Sequence, residues 1–397
     1  MRPCDGITVI DVTRYLPGRF SSLMLADLGA TVITVEPPRI SSAKSRAIGR
    51  DTGPRYLALN RNKKSITLAL NSEEGRKIFH QLARRADVLL EGSRPGVAKR
   101  LRVDYDTIKN INPRMVYVSI SSFGQEGPYQ NLSSHDINLM GLSGLLQVRE
   151  SSPVPTGVFW GDTVTALTAT ICILSALIHT RTSGAGQYID LSMFDSLISC
   201  LNVKAMRQLL SGIPVPEEDD FASLIQPEED DFASLTHPFY TAYRANDDRY
   251  ITIAAVEPHF WERLCILMGR KDLVARQYDK GAAREEIFDF FRKSFAERTS
   301  DEWIAKLRDA DIPCGPVNSI EEALGDPQVI YRDMITEVEH RVLGRIKQLG
   351  TPFKFSQTSR TPSPAAPIYG EHTFEILNSL GYSKESIEGF RKSGVIE

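Results

Sequence analysis

The stretch SITLALNSEEGRKIFHQLARRADVLLEG, residues 65–92, decides the fold. SITLAL (65–70) and DVLLEG (87–92) are short, largely apolar runs of strand length. Between them, Ile78, Phe79, Leu82 and Ala83 recur at the three- and four-residue spacing of one helix face. Asn71-Ser72-Glu73-Glu74 precedes the helix as a capping box, with Asn71 expected to accept from the first free amides while Glu74 reaches back. A strand, a helix and a second strand joined this closely make a β-α-β unit, so the two strands run parallel and the helix covers one face of their sheet.

The same rhythm extends to both sides. ITVIDV (7–12), the helical FSSLMLADLGA (20–30) and TVITVEPP (31–38) come before, and MVYVSISSFG (115–124) and QYIDLS (187–192) come after. Residues 1–200 therefore read as a large α/β domain of Rossmann-like, parallel-sheet type. PEEDDFASL at 216–224 recurs letter for letter at 227–235. Two copies are too few for a solenoid, so residues 201–235 read as an acidic linker carrying a local duplication. HPFYTAYRANDDRYITIAA (237–255) reads as a strand pair turning at Asn246-Asp247-Asp248 and opens a smaller α+β domain over 236–330. The tail, 335–397, is short for a core of its own and is expected to return to the large domain.

A chain of 397 residues with 42% hydrophobic side chains can bury two cores of this kind. The net charge of -3 and the isoelectric point near 6.2 give no general attraction to nucleic acid or anionic lipid, and neither is expected as a partner. Any phosphate must meet a local basic patch. Cys4, Cys172, Cys200, Cys265 and Cys314 are odd in number, scattered and without a CxxC pair, which fits a reducing cytoplasm better than a disulfide framework. MRPCDGITVIDV shows no signal-like apolar region. The most apolar run, VTALTATICILSALI (164–178), is short and rich in threonine, so it is expected to be a buried helix rather than a membrane span.

No GxGxxG, Walker A, GxSxG or HExxH motif occurs, so no dinucleotide, nucleotide-phosphate or serine-hydrolase signature is present and no metal is expected. What remains is a set of titratable residues at element ends. His135 and Asp136 open the segment HDINLMGLSGLL, and Asp162 opens the next helix after Gly161. Each alone is an ordinary helix-start residue. Together they matter more, because loops that open consecutive helices can face one crevice at the carboxyl edge of a parallel sheet.

Nine runs, in order, carry a family likeness: YLPGRFSSLMLADLGATVITVEPP, NRNKKSITLAL, ADVLLEGSRPGVAKRL, SSFGQEGP, HDINLMGLSGLL, TSGAGQYIDLSMFDSL, AAVEPHFW, PCGPVNSIEEALGDPQV and GEHTFEILNSLGYSKESI. With them the chain resembles the family III CoA-transferase superfamily of CaiB/BaiF type, and within it most resembles the α-methylacyl-CoA racemases. The resemblance implies a large α/β and a small α+β domain in an interlocked, ring-like homodimer. It places the catalytic aspartate on Asp162, the facing racemase histidine on His135 and a supporting glutamate of the EPxF motif on Glu257, contributed across the subunit boundary. Two departures stand out: Ser134 replaces the usual glycine before the histidine, and Gly161-Asp162-Thr163-Val164 lacks the glycine cluster of racemases and is closer to transferases. The coenzyme contacts implied by motif position are Arg39, Leu68, Asn71, Gly92, Ser93 and Arg100, an arginine suiting phosphate through its planar, permanently charged fork. No permanently bound cofactor is implied, since coenzyme A arrives as part of an acyl-CoA thioester.

Two activities follow from this likeness. The first is inversion of the α-carbon of a 2-methylacyl-CoA or similar thioester, with His135 and Asp162 exchanging a proton from opposite faces. The alternative is transfer of CoA between carboxylic acids through an aspartyl-CoA thioester on Asp162, with His135 only positioning.

Overall fold

The structure is a computed structural model that describes residues 2–39, 52–146, 148–149, 152–153, 157–210, 237–358 and 363–397. The duplicated PEEDDFASL segment lies outside the described residues. By contacts the chain divides into Met1–Asn202 with Ile330–Glu397, and Val203–Val329.

The first unit is built on β1 (Thr8–Asp11), β2 (Thr31–Glu36), β3 (Lys64–Thr67), β4 (Val88–Glu91) and β5 (Val116–Ser121). After the two-residue strands β6 (Val148–Arg149) and β7 (Ser152–Pro153), β8 (Gln187–Ser192) completes the sheet. The order is β3-β2-β1-β4-β5-β8, with every neighbouring pair parallel. Strand order reverses between β1 and β4, and a crevice opens there above the carboxyl ends, the ordinary ligand position of an open α/β sheet.

Alternation along the strands supplies a core on each face. Val9, Val32, Leu90 and Val118 pack with α1 (Leu16–Asp27) and α7 (Trp160–Ser183) on one side. Ile10, Ile33, Leu89 and Tyr117 pack on the other with α3 (Glu73–Arg85) and with Ile376, Leu377, Ile387 and Ile396 from the chain's end. A sheet covered on both faces buries nearly every position of its central strands, so VLLE and VYVSIS are buried almost throughout, Ser119 included.

Two local expectations are corrected. The cap of α3 is Ser72, whose Oγ accepts from the Gly75 amide at 3.0 Å and donates to the Ala69 carbonyl at 2.8 Å. Asn71 is one residue too early, and its carbonyl takes a bond from Arg76. Helix α7 is long and apolar enough to cross a membrane, yet Ala166, Ala169, Ile173 and Leu177 belong to the core. It is not buried all round, because Ile171 and Ile178 on its other side are 65% and 66% exposed.

In the second unit β9 (Tyr240–Arg244), β10 (Tyr250–Ala254) and β11 (Cys314–Pro316) form an antiparallel sheet. Its core is aromatic, with Phe239, Trp261, Phe291 and Phe295 fully buried against the helices Pro258–Leu267 and Ala282–Phe295.

Candidate active site

A cleft of about 230 Å³ lies at the crevice between β1 and β4. Its walls are the turn after β1 (Thr13, Arg14, Tyr15), the turn after β4 (Gly92, Ser93, Arg94), the end of β5 (Ser121, Ser122) and the loop from Gln130 to His135, with Asp162 lining it as well.

His135 is the N-cap of α6 (Asp136–Leu142), and its backbone amide is held by Asn138 Oδ1 at 3.0 Å, so the HDIN sequence itself fixes the residue at the exposed mouth. Asp162 is the third residue of α7, whose N-cap is Phe159, so it does not serve as the cap. Its backbone amide donates to Asp136 Oδ1 at 3.0 Å. The adjacent His-Asp pair thus divides its work: His135 lines the cleft, and Asp136 ties α6 to the first turn of α7. Burial pushes the Asp162 carboxyl up to about 6, the negative charge of Asp136 adds to this, and Arg55 and His135 oppose it.

This approach requires Gly161. A Cβ there would stand 2.9 Å from Asp136 Oδ1 and 3.1 Å from Leu197 Cδ1. Gly161→Ala must therefore push Asp136 off the Asp162 amide. We expect a loss of stability of about 1–3 kcal/mol in urea melts, and a fall in turnover on the order of 10-fold or more from misplacing the Asp162 carboxyl.

Of the coenzyme positions, Gly92 and Ser93 line the cleft. The others lie elsewhere. Arg39 is half-buried with its guanidinium 4.3 Å above the Tyr369 ring, and its amide donates to Glu397. The Leu68 side chain is in the core and its amide donates to the Glu36 carbonyl at 2.7 Å. Asn71 is exposed at the start of α3, and Arg100 is exposed in the short helix Val97–Leu101. Glu257 belongs to the second unit, where it is exposed at the N-cap of the helix Pro258–Leu267. Among the described residues no group of three His, Cys, Asp or Glu side chains is placed to hold a metal ion.

A set of charged residues that no local sequence pattern marks lies buried behind the turn after β1. Asp11, at the end of β1, is wholly buried; its Oδ1 accepts from the Thr13 amide at 2.8 Å and its Oδ2 from Ser22 Oγ. Lys63 Nζ lies 3.5 Å from Asp11 Oδ2 and donates to Ser22 Oγ and to the Arg19 carbonyl, each at 2.8 Å. Arg19 sits between Asp11 at 3.8 Å and Glu36 at 3.7 Å. Burial acts to raise Asp11, but the charges of Arg19 and Lys63 win and hold it below the usual carboxylate range. Burial pushes the Lys63 ammonium down, to about 7. The one available signal is the lysine pair in NRNKKS, whose second member opens a strand that is otherwise buried.

A partly buried carboxyl raised towards neutrality beside the crevice of an open parallel sheet makes Asp162 a candidate functional group. The sequence pattern of CoA-transferase family III matches residues 4–373, and the chain belongs to that family. Among named relatives, an acyl-CoA transferase of Fusarium pseudograminearum is 32% identical over 98% of this chain and 88% of its own length. A formyl-CoA:oxalate CoA-transferase of Streptomyces avermitilis is 30% identical over 99% of each chain. A crystal structure of a CaiB/BaiF family protein from Brucella suis superposes with a TM-score of 0.79 at 28% identity, over 96% of this chain and 99% of that one. The Fusarium and Streptomyces relatives are named for transfer of CoA, which favours the transfer alternative over inversion.

Proposed function

We propose that the protein moves coenzyme A between two carboxylic acids, with Asp162 as the covalent carrier. The observation that carries this reading is the Asp162 carboxyl, half-buried in the first turn of α7 and opening on the cleft. The carboxylate attacks the thioester carbonyl and expels the CoA thiolate, leaving a mixed anhydride. The thiolate then attacks the aspartyl carbonyl, releasing the first acid and leaving an aspartyl-CoA thioester. An incoming carboxylate repeats both steps in reverse and restores Asp162. A carboxyl raised to about 6 is a better nucleophile than an exposed one and is still largely ionised at neutral pH.

The cleft wall suits small polar acids. Ser93, Ser121, Ser122, Ser133 and Ser134 supply hydroxyls, and Arg14 and Arg94 supply positive charge for an acceptor carboxylate. The working unit in this reading is a homodimer in which a second copy covers Ile171 and Ile178, and Glu257 of the partner subunit approaches the cleft. A fully active monomer in sedimentation would remove that part.

The test is intact-protein mass spectrometry after incubation with succinyl-CoA and no acceptor. Transfer predicts a hydroxylamine-labile CoA adduct on Asp162, and His135→Ala forms it about 10-fold more slowly. Incorporation of deuterium at the α-carbon of a 2-methylacyl-CoA in heavy water, lost in His135→Ala and without any adduct, would instead establish inversion.

A further inference from the structure

Directly before the cleft residues Gly92 and Ser93 stands Glu91, the last residue of β4, only 3% exposed. Its Oε2 accepts from the Ser93 amide at 2.9 Å, and its Oε1 accepts from the buried hydroxyl of Ser119. Ser119 is in turn held by Gln125 Nε2 at 2.8 Å, while the Gln125 amide donates to Asp190 in β8 at 2.9 Å. A chain of bonds therefore runs from β8 through the β5 loop to the turn that lines the cleft.

The neighbouring strand repeats the device. At the end of β1, Asp11 accepts from the amide of Thr13, again two residues on and again on the cleft wall. The two turns abut, since a Cβ on Gly92 would lie 3.7 Å from Thr13 Cγ2. A turn that only connects β4 to the next helix needs no buried carboxyl, and a short neutral side chain caps such turns at less desolvation cost. Burial holds Glu91 above the usual carboxylate range, a sign of that cost.

We infer that Glu91 is a positioning residue for the reaction: by fixing the Gly92-Ser93 turn through its backbone amide, it sets the pose of the CoA thioester against Asp162. The inference rests on the cleft being the thioester site, as in the proposed function. It differs from a general structural role because the bond goes to a cleft-lining amide, and because the isosteric amide can keep an acceptor there.

Two readouts separate it from the transfer reading. Calorimetric titration with free coenzyme A should show Glu91→Ala binding at least tenfold more weakly than the full-length wild type, and Glu91→Gln within about threefold of it. At saturating succinyl-CoA, adduct formation on Asp162 should fall on the order of a hundredfold in Glu91→Ala and recover in Glu91→Gln. Ser119→Ala, which frees one oxygen and leaves the turn bond, should lie between, and it carries the test if Glu91→Ala does not fold. Wild-type coenzyme A affinity in Glu91→Ala, or an affinity in Glu91→Gln as weak as in Glu91→Ala, overturns the inference. Normal coenzyme A binding by wild type with no adduct overturns the transfer reading alone, and the binding series still decides the role of Glu91.

Discussion

Asp162→Asn abolishes CoA transfer, by about 10⁴-fold or more in kcat, and at the same time makes the folded protein more stable at pH 7. The first effect follows from removing the attacking oxygen, for which the amide is no substitute. The second follows from linkage. The folded carboxyl titrates at about 6 against 3.8 for the ordinary group, so between those values the native state binds more protons than the unfolded one. Stability from this group therefore falls as pH rises from 3.8 to about 6, and the deficit persists above it. Asn carries no charge and escapes the deficit. Because Asp162 is partly open to solvent, screening leaves on the order of 1 kcal/mol of the gain. Urea melts of both proteins at pH 4 and pH 7 check this: the advantage of Asn should be present at pH 7 and nearly absent at pH 4. The wild-type rate should rise with pH through about 6 as the carboxylate forms. A variant that is inactive yet no more stable at pH 7 would mean that the carboxyl is not desolvated in the folded chain.

Residues 65–92 carry much of the fold because their signal is simple: apolar runs for strands buried on both faces, and a helix-period stripe between them. The position of the cleft follows from the same signal, since a parallel sheet whose order reverses has one natural crevice. His135 and Asp162 were legible as element-end residues that could face it. Asp136 was legible as a residue and illegible as a contact, because its bond to the Asp162 amide spans 26 positions and depends on the smallness of Gly161. The coenzyme positions were carried over by motif, and a motif names residues without saying where the fold sets them: Gly92 and Ser93 line the cleft, while the Leu68 side chain lies in the core. The network beneath the cleft was hidden for a similar reason. Asp11, Arg19, Glu36 and Lys63 are far apart in sequence, and by composition charged residues belong on the surface. Only the convergence of β1, β2, α1 and the segment before β3 brings them together.

That network gives the second large effect. Lys63→Met leaves the buried Asp11 carboxylate facing only Arg19, itself shared with Glu36. Breaking one side of a buried ion pair costs about 3–5 kcal/mol, because the remaining charge stays desolvated. Ser22 also loses the ammonium as a donor to its oxygen, so its bond to Asp11 is less well oriented. The loss should be coupled to Asp11: the double variant Asp11→Asn, Lys63→Met removes both charges, leaves the Arg19–Glu36 pair in place and should recover a substantial part of the stability. Adduct formation should recover with it, because Asn keeps an acceptor oxygen for the Thr13 amide and Ser22 can still donate to the Arg19 carbonyl. Paired urea melts and rates of adduct formation measure the two consequences separately. If the double variant is as unstable as the sum of the single ones, Lys63 acts by packing its aliphatic stem and not by balancing charge. If stability returns without adduct formation, the turn after β1 needs the charge of the carboxylate beneath it and not only an acceptor for the Thr13 amide.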